Sequence, residues 1–149
     1  MRERIVQSIE EGRVIAILRG VPLEKILPTA RALYAGGIRH MEVTFDQSGR
    51  IPAEVTCESI AKVAGEFAKE MFVGAGTVVS TQQVALARQA GAQFLISPNT
   101  DEKVIRSTVE MGMASIPGAL TPTEIMNAHA FGADFVKIFP AGSMGAGYV

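Results

Sequence analysis

Short apolar runs alternate with amphipathic stretches along the whole chain, and the later units recur about every 20 residues, near the minimum for a strand, a helix and two tight loops. Apolar runs of this kind fit strands buried on both faces, as in parallel sheets, rather than the in-out alternation of a one-sided sheet. A leading helix is expected over residues 2–12, closed at Gly12. Strands are expected over Val14–Gly20, Ile38–Phe45, Phe72–Val78, Phe94–Pro98, Ala114–Leu120 and around Lys137. The helices between them run roughly over 54–70, 81–90 and 101–111, with stops at Gly36-Gly37, Gly91, Gly112 and Gly132. Pro28 lies inside the second helix and predicts a kink or a late start. Thr121-Pro122-Thr123-Glu124 has the capping-box spacing, with proline at the first helical position.

Strands alternating with helices throughout indicate a parallel α/β architecture, either a doubly wound sheet or a (β/α) barrel. Short, nearly equal units favour the (β/α)8 TIM barrel, which usually needs roughly 200 residues or more. The chain has 149 residues and six visible strands, so the expectation is a single barrel domain over residues 1–149, truncated before strands seven and eight.

With 19% charged residues and a formal net charge of -1, nothing marks a surface for nucleic acid or an anionic membrane. No apolar run approaches the roughly 20 residues of a membrane span. The N-terminus lacks the apolar core of a signal peptide. Cys57 is the only cysteine and cannot form an internal disulfide. A cytoplasmic setting is the expectation.

In a parallel barrel, functional groups gather at the C-terminal ends of the strands. Arg19, Glu42, Thr44, Thr77, Ser97, Asn99, Ser115 and Lys137 follow that bias. Four of the five lysines (Lys25, Lys62, Lys69 and Lys103) fall in expected helices, and only Lys137 sits between apolar strand neighbours. Glu42 is the one carboxylate well inside an expected strand. Two readings follow. Lys137 and Glu42 form a structural ion pair, or Lys137 snorkels to solvent; alternatively, Lys137 is a nucleophile. An ordinary lysine is neutral in roughly one molecule in 2,500 at pH 7. Desolvation lowers that barrier and lets the amine attack a carbonyl. The resulting imine draws electrons, so the C–C bond beta to it can break, and Glu42 is the candidate proton shuttle.

The ordered set Ile15-Ala16-Ile17-Leu18-Arg19-Gly20, Gly36-Gly37-Ile38 to Glu42-Val43-Thr44, Gly74-Ala75-Gly76-Thr77-Val78, Ile96-Ser97-Pro98-Asn99, Pro117-Gly118-Ala119 and Val136-Lys137-Ile138-Phe139-Pro140-Ala141 resembles the 2-keto-3-deoxy-6-phosphogluconate (KDPG) and 2-keto-4-hydroxyglutarate (KHG) aldolase family. The resemblance implies a class I aldolase on a (β/α)8 barrel, commonly trimeric, that releases pyruvate from a keto-acid substrate without metal or other cofactor. It implies Lys137 as the Schiff-base residue and Glu42 as general acid/base. Thr77, with the Gly74-Ala75-Gly76 backbone, would help hold the pyruvate carboxylate, and Pro98 and Phe139 would line the pocket. Arg19 is expected to meet a substrate anion, with a rim salt bridge as its alternative.

The chain departs from the family pattern twice. Many members place an arginine four residues after the catalytic glutamate, and here that position is Asp46. Asp46 and Gln47 could contact substrate or simply turn the chain. The family's phosphate site lies in the last two strand–loop units, which this sequence does not contain, so a non-catalytic barrel that binds anions or serves as an assembly unit is the alternative function. Val79 stands where a dinucleotide fingerprint needs its third glycine after Gly74 and Gly76. His40, His129 and Cys57 share no metal-ligand spacing. His40 is expected to be a strand residue packed beside a helix.

Overall fold

The computed structural model describes residues 1–68 and 70–148. Helix α1 (Arg2–Gly12) leads into β1 (Ala16–Leu18), and then α2 (Ile26–Ala35), β2 (His40–Thr44), α3 (Ala53–Glu66) and β3 (Phe72–Gly76) follow. The chain continues through α4 (Thr81–Gln89), β4 (Phe94–Ile96), α5 (Glu102–Glu110), β5 (Ala114–Ile116), β6 (Gly118–Ala119), α6 (Pro122–Ala130) and β7 (Lys137–Ile138). β1 to β5 form one parallel sheet in sequence order, and β6 pairs in parallel with β7. Each strand is added at the same edge, as in a barrel wall, whereas a doubly wound sheet reverses its order at a switch point.

One face of this sheet packs on the connecting helices, where Met41, Val43, Val73, Ala75 and Leu95 join Ile26, Ala30, Ile60, Val63, Val84, Ala87 and Val104 in a single core. The other face carries Phe94, Ile96, Ala114 and Ile116, covered by Ile5 and Ile9 of α1. Burial on both faces is why the strands read as unbroken apolar runs. Arg2 clamps α1 in place: its Nε donates to the Asp134 carboxylate at 3.0 Å, and Asp134 also accepts from the Ser115 amide at 2.9 Å.

α2 starts late, after a 3-10 turn at Leu23–Lys25, which leaves Pro28 in its first turn where no amide donor is needed. The capping box at Thr121 is complete: the Thr121 hydroxyl accepts from the Glu124 amide, and the Glu124 carboxylate accepts from the Thr121 amide. The helix expected over 54–70 ends at Glu66, and the helical placement expected for Lys69 lies outside the described residues.

Two strand expectations need correction. The fifth strand is split in two, because Pro117 has no amide to carry the ladder. Its second half, β6, leaves β4 and pairs with β7. The first strand shrinks to three residues, and Val14 and Ile17 stand 53% and 54% exposed, since β1 pairs only with β2 among the described residues.

Candidate active site

The register lines up Ile17, Glu42, Gly74, Phe94 and Ala114 in one row across β1 to β5. Residues paired directly in a parallel sheet point to the same side, so Glu42 lies on the α1 face of the sheet, in the same row as Phe94. Every residue of β2 from His40 to Thr44 is buried, because the strand is paired on both edges and covered on both faces. Gly76 makes room for the carboxylate. A Cβ there would lie 2.4 Å from Glu42 Oε2 and 2.9 Å from Thr44 Cγ2, closer than any real contact. Gly74, two residues earlier on the same strand, does the same for the Phe94 ring.

Glu42 is 2% exposed, and its Oε2 has no hydrogen-bond partner among the described residues. Burial pushes its pKa up to about 7, against the pull of the Lys137 and Arg19 charges. No lysine or arginine nitrogen of the described residues lies within 4.0 Å of this carboxylate; the ion pairs of that length are elsewhere. The close ion pair between Lys137 and Glu42 is therefore not formed.

A cavity of about 150 Å³ separates them, walled by Arg19, Glu42, Thr77, Ile96, Ser97, Pro98, Lys137 and Phe139. A cavity of roughly that size accommodates a benzene-sized molecule. Of the residues singled out in the sequence, Arg19, Glu42, Thr77, Ser97, Pro98, Lys137 and Phe139 line it, Thr44, Asn99 and Ser115 do not, and Gly76 sits beside the Glu42 carboxylate. Lys137 is fixed through its amide, which donates to the Pro117 carbonyl at 2.9 Å, and its Nζ lies 4.5 Å from the Phe139 ring centroid. Lys137 and its neighbours Val136 and Ile138 are half-buried rather than buried, since β7 is two residues long and pairs only with β6 among the described residues. Arg19 has no carboxylate partner within 4.0 Å among the described residues and donates instead to the Thr77 hydroxyl at 3.4 Å.

Asp46 does not reach the cavity. Its carboxylate accepts from the Ser48 amide and hydroxyl and from the amides of Arg50 and Ile51, at 2.7–3.0 Å. The Ser48 hydroxyl and these amides hold its pKa down, to about 2. It turns the chain after β2. Gln47 points back toward the site, its Nε2 donating to the Thr77 carbonyl at 2.8 Å. Ile96 in the wall and Gly76 as the space beside the carboxylate are contributions that sequence reasoning missed. Only the register and the close approach reveal them.

His40 is 1% exposed and bonds the Ser8 hydroxyl of α1 at 2.9 Å, packed as expected beside a helix. Cys57 is half-buried on α3, and burial raises its thiol pKa. Among the described residues no three His, Cys, Asp or Glu side chains group as metal ligands, and no helix is long and apolar enough to cross a membrane.

Residues 5–148 match the sequence model of the KDPG and KHG aldolase family. The 2-dehydro-3-deoxy-phosphogluconate aldolase of Treponema pallidum is 40% identical over 95% of this chain and 64% of its own length. The KHG/KDPG aldolase of Escherichia coli is 38% identical over 90% of this chain and 60% of its own. Among solved structures, the KDPG aldolase of Legionella pneumophila, with pyruvate captured at low pH as a covalent carbinolamine intermediate, superposes with a TM-score of 0.77. It is 34% identical, over 88% of this chain and 60% of that one. The chain thus spans just over three fifths of the length of the curated relatives it matches.

Proposed function

Because the chain belongs to the KDPG and KHG aldolase family, we propose that it is a class I aldolase that releases pyruvate from 2-keto-3-deoxy-6-phosphogluconate, 2-keto-4-hydroxyglutarate or both. The observation that carries the reading is a buried carboxylate with a bare oxygen, sharing one small cavity with Lys137, Arg19 and Thr77. A trimeric (β/α)8 barrel working in the cytoplasm without metal or organic cofactor is part of the same proposal, as the family resemblance implies.

In this reading the Lys137 amine adds to the substrate's C2 carbonyl, and Glu42 in its acid form protonates the carbinolamine hydroxyl so that water leaves. The resulting imine is the electron sink. Glu42, now a carboxylate, takes the proton of the C4 hydroxyl while the C3–C4 bond breaks; its electron pair forms the enamine and the aldehyde departs. Protonation of the enamine carbon by the same carboxyl gives the pyruvate imine, and water releases pyruvate and the free lysine. A carboxyl with a pKa near 7 exists in both forms at neutral pH, which suits a group that must give and take a proton in one cycle. Arg19 and the Thr77 hydroxyl meet the C1 carboxylate, and Pro98 and Phe139 close the walls.

The test is pyruvate formation from each substrate, followed through a lactate-dehydrogenase couple, for this chain and for a version carrying two further strand–helix units. Pyruvate release by the chain supports the aldolase and removes the alternative of a non-catalytic anion binder. No release from either version overturns the aldolase.

Gly76→Ala probes the carboxylate's seat. The added carbon must push Glu42 aside, and misplacement by about 1 Å is expected to cost roughly a hundredfold in kcat. Circular dichroism checks that the variant folds. An unchanged kcat in a folded variant would place the proton shuttle elsewhere.

A further inference from the structure

Thr77 has a backbone conformation that its side chain disfavours. Its φ is 56°, in the left-handed region, and a β-branched residue there is a genuine outlier. Arg13, at the C-terminal cap of α1, is the one other non-glycine residue with positive φ among the described residues. Such a conformation persists only where its surroundings over-determine it.

The surroundings of Thr77 can be named. The peptide that follows it is pinned at both ends: the Thr77 carbonyl accepts from Gln47 Nε2 at 2.8 Å, and the Val78 amide donates to the Ile96 carbonyl at 3.2 Å. The second bond belongs to the continuation of the β3–β4 ladder. The first reaches across from the loop after β2 and is the only side-chain bond made to the Thr77 backbone among the described residues. With the peptide held this way, the Thr77 hydroxyl faces Arg19 across the cavity mouth. Rotation to negative φ would swing the side chain off that line. The neighbouring Asp46 knot holds the base of the loop through the Ser48, Arg50 and Ile51 amides, so Gln47 is presented from a fixed turn.

We propose that Gln47 is a positioning residue: it holds Thr77 in its left-handed conformation and so aims the Thr77 hydroxyl at the substrate carboxylate. The second half of this statement rests on the aldolase reading above, whereas the first rests on geometry alone. Gln47 does not line the cavity. It acts through Thr77.

The experiment is a double-mutant cycle on Gln47→Met, which keeps the side chain's length and removes its donor, and Thr77→Gly, which tolerates positive φ and lacks the hydroxyl. The readout is the pyruvate concentration that gives half-maximal borohydride trapping on Lys137. In the Thr77 background, Gln47→Met is expected to raise that concentration about tenfold, at unchanged melting temperature, because a displaced contact group weakens binding without unfolding the chain. In the Thr77→Gly background it should change by less than about twofold, the tolerance of independent sites. Equal changes in both backgrounds, or no change in the first, overturn the proposal. A crystal structure of Gln47→Met supplies the arm that needs no chemistry. Thr77 should leave positive φ, and a φ still near 56° overturns the holding role even if the parent chain traps no pyruvate; absence of trapping in the parent counts against the aldolase reading alone.

Discussion

Lys137→Met is expected to abolish borohydride trapping of pyruvate and to lower kcat by about 10⁶-fold, the scale on which enzymes lose rate when a covalent nucleophile is removed. Intact-protein and peptide mass spectrometry read the first, and the coupled pyruvate assay reads the second. Methionine is the informative replacement, because it keeps an unbranched apolar stem in the half-buried slot beside Phe139. The structural loss is then the contact of the ammonium with that ring, about 0.5–1 kcal/mol, too little to unfold the chain. The described lysines Lys25, Lys62 and Lys103 supply the internal control, since all three are exposed on or beside helices away from the cavity. An adduct on any of them, or one that survives Lys137→Met, would sink the assignment. A second signature needs no turnover. The Lys137 charge pulls the Glu42 pKa down, so its removal should move the Glu42 carboxyl titration upward from about 7, as read by carbon NMR of the side chain.

Much of this arrangement is legible in the residues alone, and the parts that are not share a physical cause. Helix boundaries marked by local chemistry agree with the structure, because the Thr121 box and the Gly91, Gly112 and Gly132 stops need only neighbours in sequence. The wall of the cavity follows from a topological rule, the gathering of strand ends at one rim, so Arg19, Thr77, Pro98 and Lys137 meet as expected. Features that depend on register or long-range contact are hidden. Pro117 divides a strand whose second half, β6, pairs with β7, and at Gly118 the Pro98 carbonyl passes where a Cβ would stand. Gly76 reads as part of an anion cradle, and the space it leaves for the Glu42 carboxylate of the neighbouring strand, two residues off in register, shows only in the fold. Gln47 and Thr77 are 30 positions apart, and no periodicity links an exposed loop amide to a strained carbonyl. The exposure of Lys137 belongs to the same class: an apolar run predicts burial, but the partners of its strand decide it.

Glu42→Gln should move activity and stability in opposite directions. The amide cannot shuttle a proton, so kcat is expected to fall about 10²–10⁴-fold, the usual contribution of a positioned acid/base. Stability follows from the sign of the shift. A carboxyl whose pKa rises from 4.5 to about 7 on folding is one that the fold prefers protonated. The native state keeps the full Glu42-linked stability below pH 4.5 and loses it progressively as pH climbs through 7, a difference of about 3 kcal/mol. Above that pH the parent chain carries a buried carboxylate whose Oε2 has no partner among the described residues. Glutamine is neutral throughout, so Glu42→Gln should lose this slope, and urea unfolding at pH 5 and pH 9 measures it. The variant is expected to gain about 3 kcal/mol on the parent between those two pH values. Parallel pH dependences would mean that Glu42 does not titrate near neutrality in the fold, and full activity in the variant would remove it from proton transfer. Retention of a group that destabilises the fold at working pH is what a catalytic carboxylate predicts, because activity at such sites is commonly held at the expense of stability.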